Sequence, residues 1–367
     1  MDFSFSEEQQ MLREQARSFL SERVPADRVV ELAQSDTPFD ATLWKEMAGL
    51  GWTGLSISED HGGSGMGFLD EAVLLEELGY ALYPGPFFST VGVALPALGN
   101  RTEALSAVAS GDSSVTLAWA ELDFDRSMTD VDDLSTRATG SGSNWTLEGV
   151  KEIVPDAGIV GKAVVTAGAD DGPGLWLVDL DGEGAAVETL DTMDSTRRLG
   201  KVTLNGARGE CIADSEEARE ILESVRLRAL SAAALEAVGV AQKALDLALD
   251  YVKERKQFDK PIGAYQAVSH QVADTYVDVE LARSLAYWAA WTVAENDSQA
   301  RAAVPAAKVA ATEAAVAACE RSIQVHGGIG FTWEHILHRY YKRAQWLDSF
   351  GGFGPNQRKE VANSILA

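Results

Sequence analysis

Apolar residues recur every three or four positions at the start of the chain. They gather into short runs in the middle, then return to the helical period for the rest. Ser6-Glu7-Glu8-Gln9 has the form of a capping box, with Ser6 as N-cap and Gln9 three positions on. Phe5 before the cap and Met11, Leu12, Ala16 and Leu20 after it give helical spacing. A second helical run covers "ATLWKEMAGLG", the glycine-rich "SEDHGGSGM" interrupts it, and "FLDEAVLLEELGYAL" resumes the period.

The pattern changes near Gly111. "SVTLAWAEL", "STRATGSGSNWTLEGVKEIVP", "KAVVTAGADDGPGLWLVDL" and "RRLGKVTLNGA" are short runs rich in Val, Thr, Leu and Trp. Gly, Asp and Ser turns separate them, which predicts a small β-sandwich or barrel. From Ser215 the helical period holds again. Val225, Ala229, Leu230, Ala234, Val238, Ala241, Leu245, Ala248 and Val252 form one apolar face. Later helices are expected near Ala264, Ala300 and Glu334. The plan is α+β: an N-terminal helical domain (1–112), a middle β domain (113–214) and a C-terminal helical bundle (215–367).

Charge narrows the choice of partners. The 367 residues carry 31 basic and 56 acidic side chains, a net charge of −25, which repels phosphate backbones. Apolar residues make up 46%, too many for a disordered acidic chain. The polar start is not that of a signal peptide, and charges interrupt the alanine-rich runs, so no membrane span is expected. Cys211 and Cys319 are far apart in sequence and are expected to be packing residues in a reducing compartment. These features suggest a soluble cytoplasmic protein.

Candidate chemistry is sparse. His326, His335 and His338 cluster without a cysteine near enough to complete a metal site, so none is expected. Alone, Arg255 in "KERKQ" reads as a solvated helix end, and "HGGIG" as a helix C-cap and turn. No Gly-x-Ser-x-Gly motif is present. "SFGGFGPNQRKE", Ser349–Glu360, is glycine-rich and has no acid or base before Arg358.

In combination these stretches carry a resemblance. "YVKERKQFDKPIGAYQAVSHQVADTYVDVELARS" and "QVHGGIGFTWEHILHRYYKRAQ" resemble the C-terminal domain of acyl-CoA dehydrogenases. "LGWTGLSISEDHGGSGMGFLDEAVLLEELG" is similar to their N-terminal domain, and "NWTLEGVKEIVP" with "RRLGKVTLNGA" to their β domain. The resemblance covers nearly the whole chain, in order. It implies the family fold with a C-terminal four-helix bundle, an FAD cofactor, and α,β-dehydrogenation of a CoA thioester. It also implies a tetramer and electron-transfer flavoprotein as acceptor. In this family the bundle of one subunit reaches the flavin of its neighbour. Carried over, Arg255 contacts the FAD pyrophosphate, with Gln257 and Phe258 beside it, and Gln324, Gly327 and Gly328 line the adenosine diphosphate portion.

The same resemblance exposes a gap. The chemistry needs a carboxylate to take the α-proton. Members usually carry it in a "Y-E-G-T-x-x-I-Q-R" loop, which aligns with "FGGFGPNQR" and puts Gly351 in the glutamate place. Other members carry it ten residues before the glycine matching Gly239, a position held here by Ala229. Glu236, seven residues on and roughly on the same face of that helix, is the candidate carboxylate, either a base or a buried hydrogen-bonded or ion-paired group. "AWAELDFDRS" matches poorly the stretch that contacts the flavin ring. Base-poor chains of this kind resemble the accessory subunits of actinobacterial heterotetramers that act on steroid side chains. The expected partner is therefore a homologous subunit that supplies the base. The alternatives are a homotetramer using Glu236 and a non-catalytic acyl-CoA-binding or partner-binding protein.

Overall fold

The Ser6 hydroxyl accepts from the Gln9 N–H at 3.2 Å, and the Gln9 side chain accepts from the Ser6 N–H at 3.2 Å. This reciprocal cap opens α1 (Glu7–Arg23), as the sequence predicts. The computed structural model describes residues 5–35, 39–121 and 128–366. After α1 come α2 (Ala26–Gln34), α3 (Ala41–Gly49), α4 (Phe68–Ala81) and α5 (Thr102–Ala109). Seven strands follow: β1 (Val115–Ala118), β2 (Arg137–Ser141), β3 (Asn144–Pro155), β4 (Lys162–Ala169), β5 (Gly172–Asp179), β6 (Ala185–Leu190) and β7 (Leu199–Asp214). The helices α6 (Ser215–Glu254), α7 (Gln266–Ala294), α8 (Ala300–His326), α9 (Leu337–Ser349) and α10 (Gly354–Leu366) complete the chain. The helix-to-strand and strand-to-helix changes fall within a few residues of the expected points, and α7 and α8 start at or next to the expected positions.

The chain divides into two compact units. One gathers Met1–Glu31, Phe68–Tyr83 and Leu230–Ala367; the other gathers Leu32–Gly67 and Pro84–Ala229. In the second unit the strands form a small closed barrel. β4 pairs with β2 on one edge and with β5 on the other, and the ring runs β4-β2-β3-β7-β5. β1 adds in parallel to β4, and β6 adds antiparallel to β7. Leu147, Val165, Trp176, Val178 and Val202 fill the interior. β6 escaped the sequence pattern: among the described residues it pairs only with β7, and none of its six residues is fully buried.

The other unit is helical. α1 lies on α4, α4 on α7, and α8 on α7, α9 and α10. The whole expected face of α6, from Val225 to Val252, is buried. Between Leu230 and Ala241 every residue is buried, so the helix is a central one and not a one-sided surface helix. By length and hydropathy α8 and the turn after it pass as a membrane span, because their few charges are diluted by alanine. Some 67% of the apolar window is nevertheless buried inside the fold, as in a core helix.

Candidate active site

The two stretches assigned to cofactor contact meet at one end of the helical unit. Tyr251, one turn before Arg255 on α6, stacks on His326 at the end of α8, with centroids 4.3 Å apart. His326 in turn meets the His335 ring at 4.7 Å, and its Nδ1 lies 2.8 Å from the Ser322 carbonyl oxygen. Burial and the neighbouring His326 hold the His335 imidazole below its ordinary pKa. The clustered histidines thus act as an aromatic clasp between helix ends.

Arg255 follows the end of α6 and is exposed. Its guanidinium makes no hydrogen bond or ion pair among the described residues. A two-stranded hairpin follows, β8 (Lys256–Gln257) and β9 (Lys260–Pro261), pinned by the Ile262 N–H donating to the Arg255 carbonyl at 2.8 Å. Phe258 and Asp259 form its tip with φ of 51° and 63°, and Phe258 is 87% exposed. Gln324, Gly327 and Gly328 are also exposed at the end of α8. Gly327 caps the helix with φ 64°, and a Cβ at Gly327 or Gly328 would meet no atom within 4 Å. The paired glycines leave an open floor over which backbone N–H groups can approach an anion.

Gly351 sits in a glycine loop held from beneath. The buried Lys308 ammonium donates to the Asp348 carbonyl, where it caps the end of α9, and to the Gly352 carbonyl at 2.8 Å. Burial drives the Lys308 pKa down to about 8, opposed by Asp348. The buried Gln357 amide donates to the carbonyls of Gly351, at 2.8 Å, and Gly352, at 3.3 Å. Gly351 and Gly352 adopt φ of 64° and 101°. The Gly351 N–H makes no hydrogen bond among the described residues. The loop is therefore built to a definite backbone shape that suits glycine and opposes a side chain. Lys308 and Gln357 were missed in the sequence, although a lone lysine inside the alanine run "AAKVAA" is a usable signal.

The carboxylate assigned as an alternative base has other contacts. Glu236 is 3% exposed and pairs with Arg343 of α9, which is fully buried. The charged pair satisfies both groups where neither alone is tolerated. Ala229 is buried and offers no ionisable group. Of "AWAELDFDRS", residues 122–127 lie outside the described residues. Glu121, at its start, accepts from the Lys151 ammonium at 2.8 Å and from the Thr136 N–H at 3.0 Å. Those partners outweigh burial and hold its carboxyl down to about 2.

A helical unit of this kind and a closed small barrel are the parts of an acyl-CoA dehydrogenase-type fold. The family models for the acyl-CoA dehydrogenase N-terminal and C-terminal domains match residues 6–104 and 226–366. Acyl-CoA dehydrogenase IpdE2 of Mycolicibacterium smegmatis is 32% identical over 92% of this chain and 93% of its own length. Among solved structures, a variant of the Tcur3481-Tcur3483 steroid ACAD superposes with TM-score 0.86 at 31% identity, covering 98% of each chain. The ChsE4-ChsE5 complex from Mycobacterium tuberculosis gives 0.89 at 26%, covering 100% of this chain and 99% of that one. The chain belongs to the acyl-CoA dehydrogenase family, oxidoreductases that act on the CH–CH bond of acyl-CoA. Membership implies FAD as the cofactor. The donor set fits it: an uncommitted guanidinium for a diphosphate, an exposed amide, and glycines with open space above them.

Proposed function

We propose that this chain is the accessory subunit of a heteromeric FAD-dependent acyl-CoA dehydrogenase acting on a bulky, steroid-side-chain-type acyl-CoA. A homologous partner subunit supplies the catalytic base. The observation that carries this reading is that neither position assigned to the base holds a carboxylate and that the alternative, Glu236, is already ion-paired. Gly351 and Ala229 have no ionisable side chain, and Glu236 is tied to Arg343. The likeness to the Tcur3481-Tcur3483 steroid ACAD and to the two-component ChsE4-ChsE5 complex supports it.

When bound, FAD would supply a hydride acceptor for the substrate's β-hydrogen, and the partner's carboxylate would take the α-proton. This chain's part is to bind and orient. Arg255 would hold the pyrophosphate of the neighbour's FAD, Gln257 and Phe258 would flank it, and Gln324, Gly327 and Gly328 would line the adenosine side. The free Gly351 N–H is a donor suited to a thioester carbonyl. A homotetramer using Glu236 ranks lower, because ionised Glu236 would first have to leave a buried guanidinium.

The test is turnover with acyl-CoA and a dye acceptor, for the chain alone and for the chain co-purified with the products of neighbouring genes. General-base catalysis is worth about 10²- to 10⁴-fold. The isolated chain is expected to fall short of the mixed complex by at least that factor, with flavin stoichiometry below one per chain in the complex. Turnover by the isolated chain at about 1–10³ s⁻¹, the ordinary enzyme range, refutes the accessory role. Loss of that turnover in folded, FAD-loaded Glu236→Gln would then make Glu236 the base.

A further inference from the structure

The helical unit holds a cavity that none of the proposed chemistry uses. It lies among α1, α2, α4, α6 and the α9 region, with a volume of about 180 Å³. Its walls include Leu20, Val24, Val29, Ile336 and Tyr340, and the Tyr80 ring forms part of its polar side. That ring stands between two cations. The Arg17 guanidinium lies 3.5 Å from its centroid and the Lys243 ammonium 4.9 Å.

The two cations differ. Arg17 is committed, donating to the buried Glu77 carboxylate, at 2.8 Å through Nη2. The Lys243 ammonium has no hydrogen bond or ion pair among the described residues. The neighbouring carboxylate, Asp246, is fully engaged. Its Oδ2 accepts from the Tyr80 hydroxyl and its Oδ1 from the Gln242 amide, each at 2.8 Å. Lys243 is partly desolvated, and the attraction of Asp246 and Asp250 is opposed by Arg17. A half-buried ammonium facing an apolar cavity, with its nearest anion already satisfied, is a charge-assisted donor without an acceptor.

We propose that this cavity is a binding site for a small monocarboxylate with a compact apolar body, its carboxylate on Lys243 and its body against Val24, Val29 and Ile336. Size and polarity select that class. A cavity of about 150 Å³ lined by apolar side chains accepts benzene, and here one end adds a cation. A bare phosphate would leave the apolar walls unfilled.

The probe is sodium benzoate, titrated against the full chain in its assembled form and followed by calorimetry. Saturable binding is expected. Benzyl alcohol, which lacks the charge, should bind at least about tenfold more weakly. Lys243→Met should weaken benzoate at least about tenfold, whereas Lys243→Arg should stay within about threefold. Ser21→Phe, at the exposed rim of the cavity, should block binding while leaving thermal unfolding near that of the wild type. No saturable benzoate binding, equal binding by Lys243→Met, equal binding of benzyl alcohol, or full displacement by inorganic phosphate at equal concentration would each overturn the proposal.

Discussion

At the scale of single residues, two buried lysines make stability rise with pH in two different windows. Lys151 and Glu121 form a buried pair, with Lys151 also donating to the Thr166 hydroxyl at 3.0 Å. Glu121 falls from an ordinary 4.5 to about 2 in the folded chain. A depressed carboxylate contributes stability that is full above about 4.5 and lost as pH falls toward 2. Glu121→Gln strands the Lys151 ammonium and should cost about 3–5 kcal/mol at pH 7. It should also flatten the stability curve over that acid window. Urea titrations at several pH values check both; an unchanged midpoint at pH 7 would exclude the pair as a determinant of the barrel. Lys308 has carbonyl partners instead, and its pKa falls from 10.5 to about 8. Between those values the unfolded chain binds more protons than the folded one, so this group makes stability rise with pH. The stability of wild type relative to Lys308→Met should therefore increase from pH 8 to 10.5. A difference that is flat or falling contradicts the buried ammonium.

At the scale of elements, α4 and α6 approach each other through paired glycines. A Cβ on Gly79 would lie 2.2 Å from the Glu236 carbonyl oxygen, and one on Gly239 would lie 2.0 Å from the Glu76 carbonyl oxygen. Helix backbones this close need glycine on both sides. Around the crossing, buried Glu76 and Glu77 of α4 collect Arg13, Arg17, Arg283 and the Tyr287 hydroxyl. Gly239→Ala should push the helices apart and lower stability by about 1–3 kcal/mol or more, measured by thermal unfolding, with Gly328→Ala as a neutral control. Equal melting of the two variants would mean that α4 shifts freely. This crossing marks where sequence reading stops. The Ser6 cap, the α6 face and most strands were legible because each is a local pattern of polarity or propensity. The glycine contact was not, because it joins residues about 160 positions apart and has no local period. Met11 was expected on the buried face of α1 but is 62% exposed, since α4 covers only the stripe containing Ala16 and Leu20. At the candidate site, Gly351 and Ala229 occupy the positions that the resemblance assigns to the base, and their identities are read directly from the sequence. The Arg343 partner of Glu236 and the Lys308 support were not legible, because the first joins α6 to α9 and the second joins α8 to the end of α9 and the glycine loop.

At the scale of the whole molecule, the question is what covers the apolar surface of the helical unit. Tyr276, Val277 and Leu281 of α7 are 57%, 52% and 61% exposed, with Val277 and Leu281 one turn apart. Ile329, Phe331 and Trp333, after α8, are 55%, 69% and 71% exposed. Large side chains clustered in this way are expensive to leave in water and are characteristic of association surfaces. The net charge of −25 works against association of like chains at long range. Salt screens that repulsion, with a Debye length of about 30 Å at 0.01 M and about 8 Å at 0.15 M, but leaves apolar burial intact. Assembly through the C-terminal helices, with a second copy or a homologous partner, should therefore tighten as salt rises over this range. Leu281→Glu should weaken it, through lost apolar burial and added repulsion, by at least about tenfold in dissociation constant. Sedimentation velocity at micromolar concentration and two salt levels measures both effects. A monomer at both levels, with the partner present and with it absent, would show that the apolar surface of α7 has some other use.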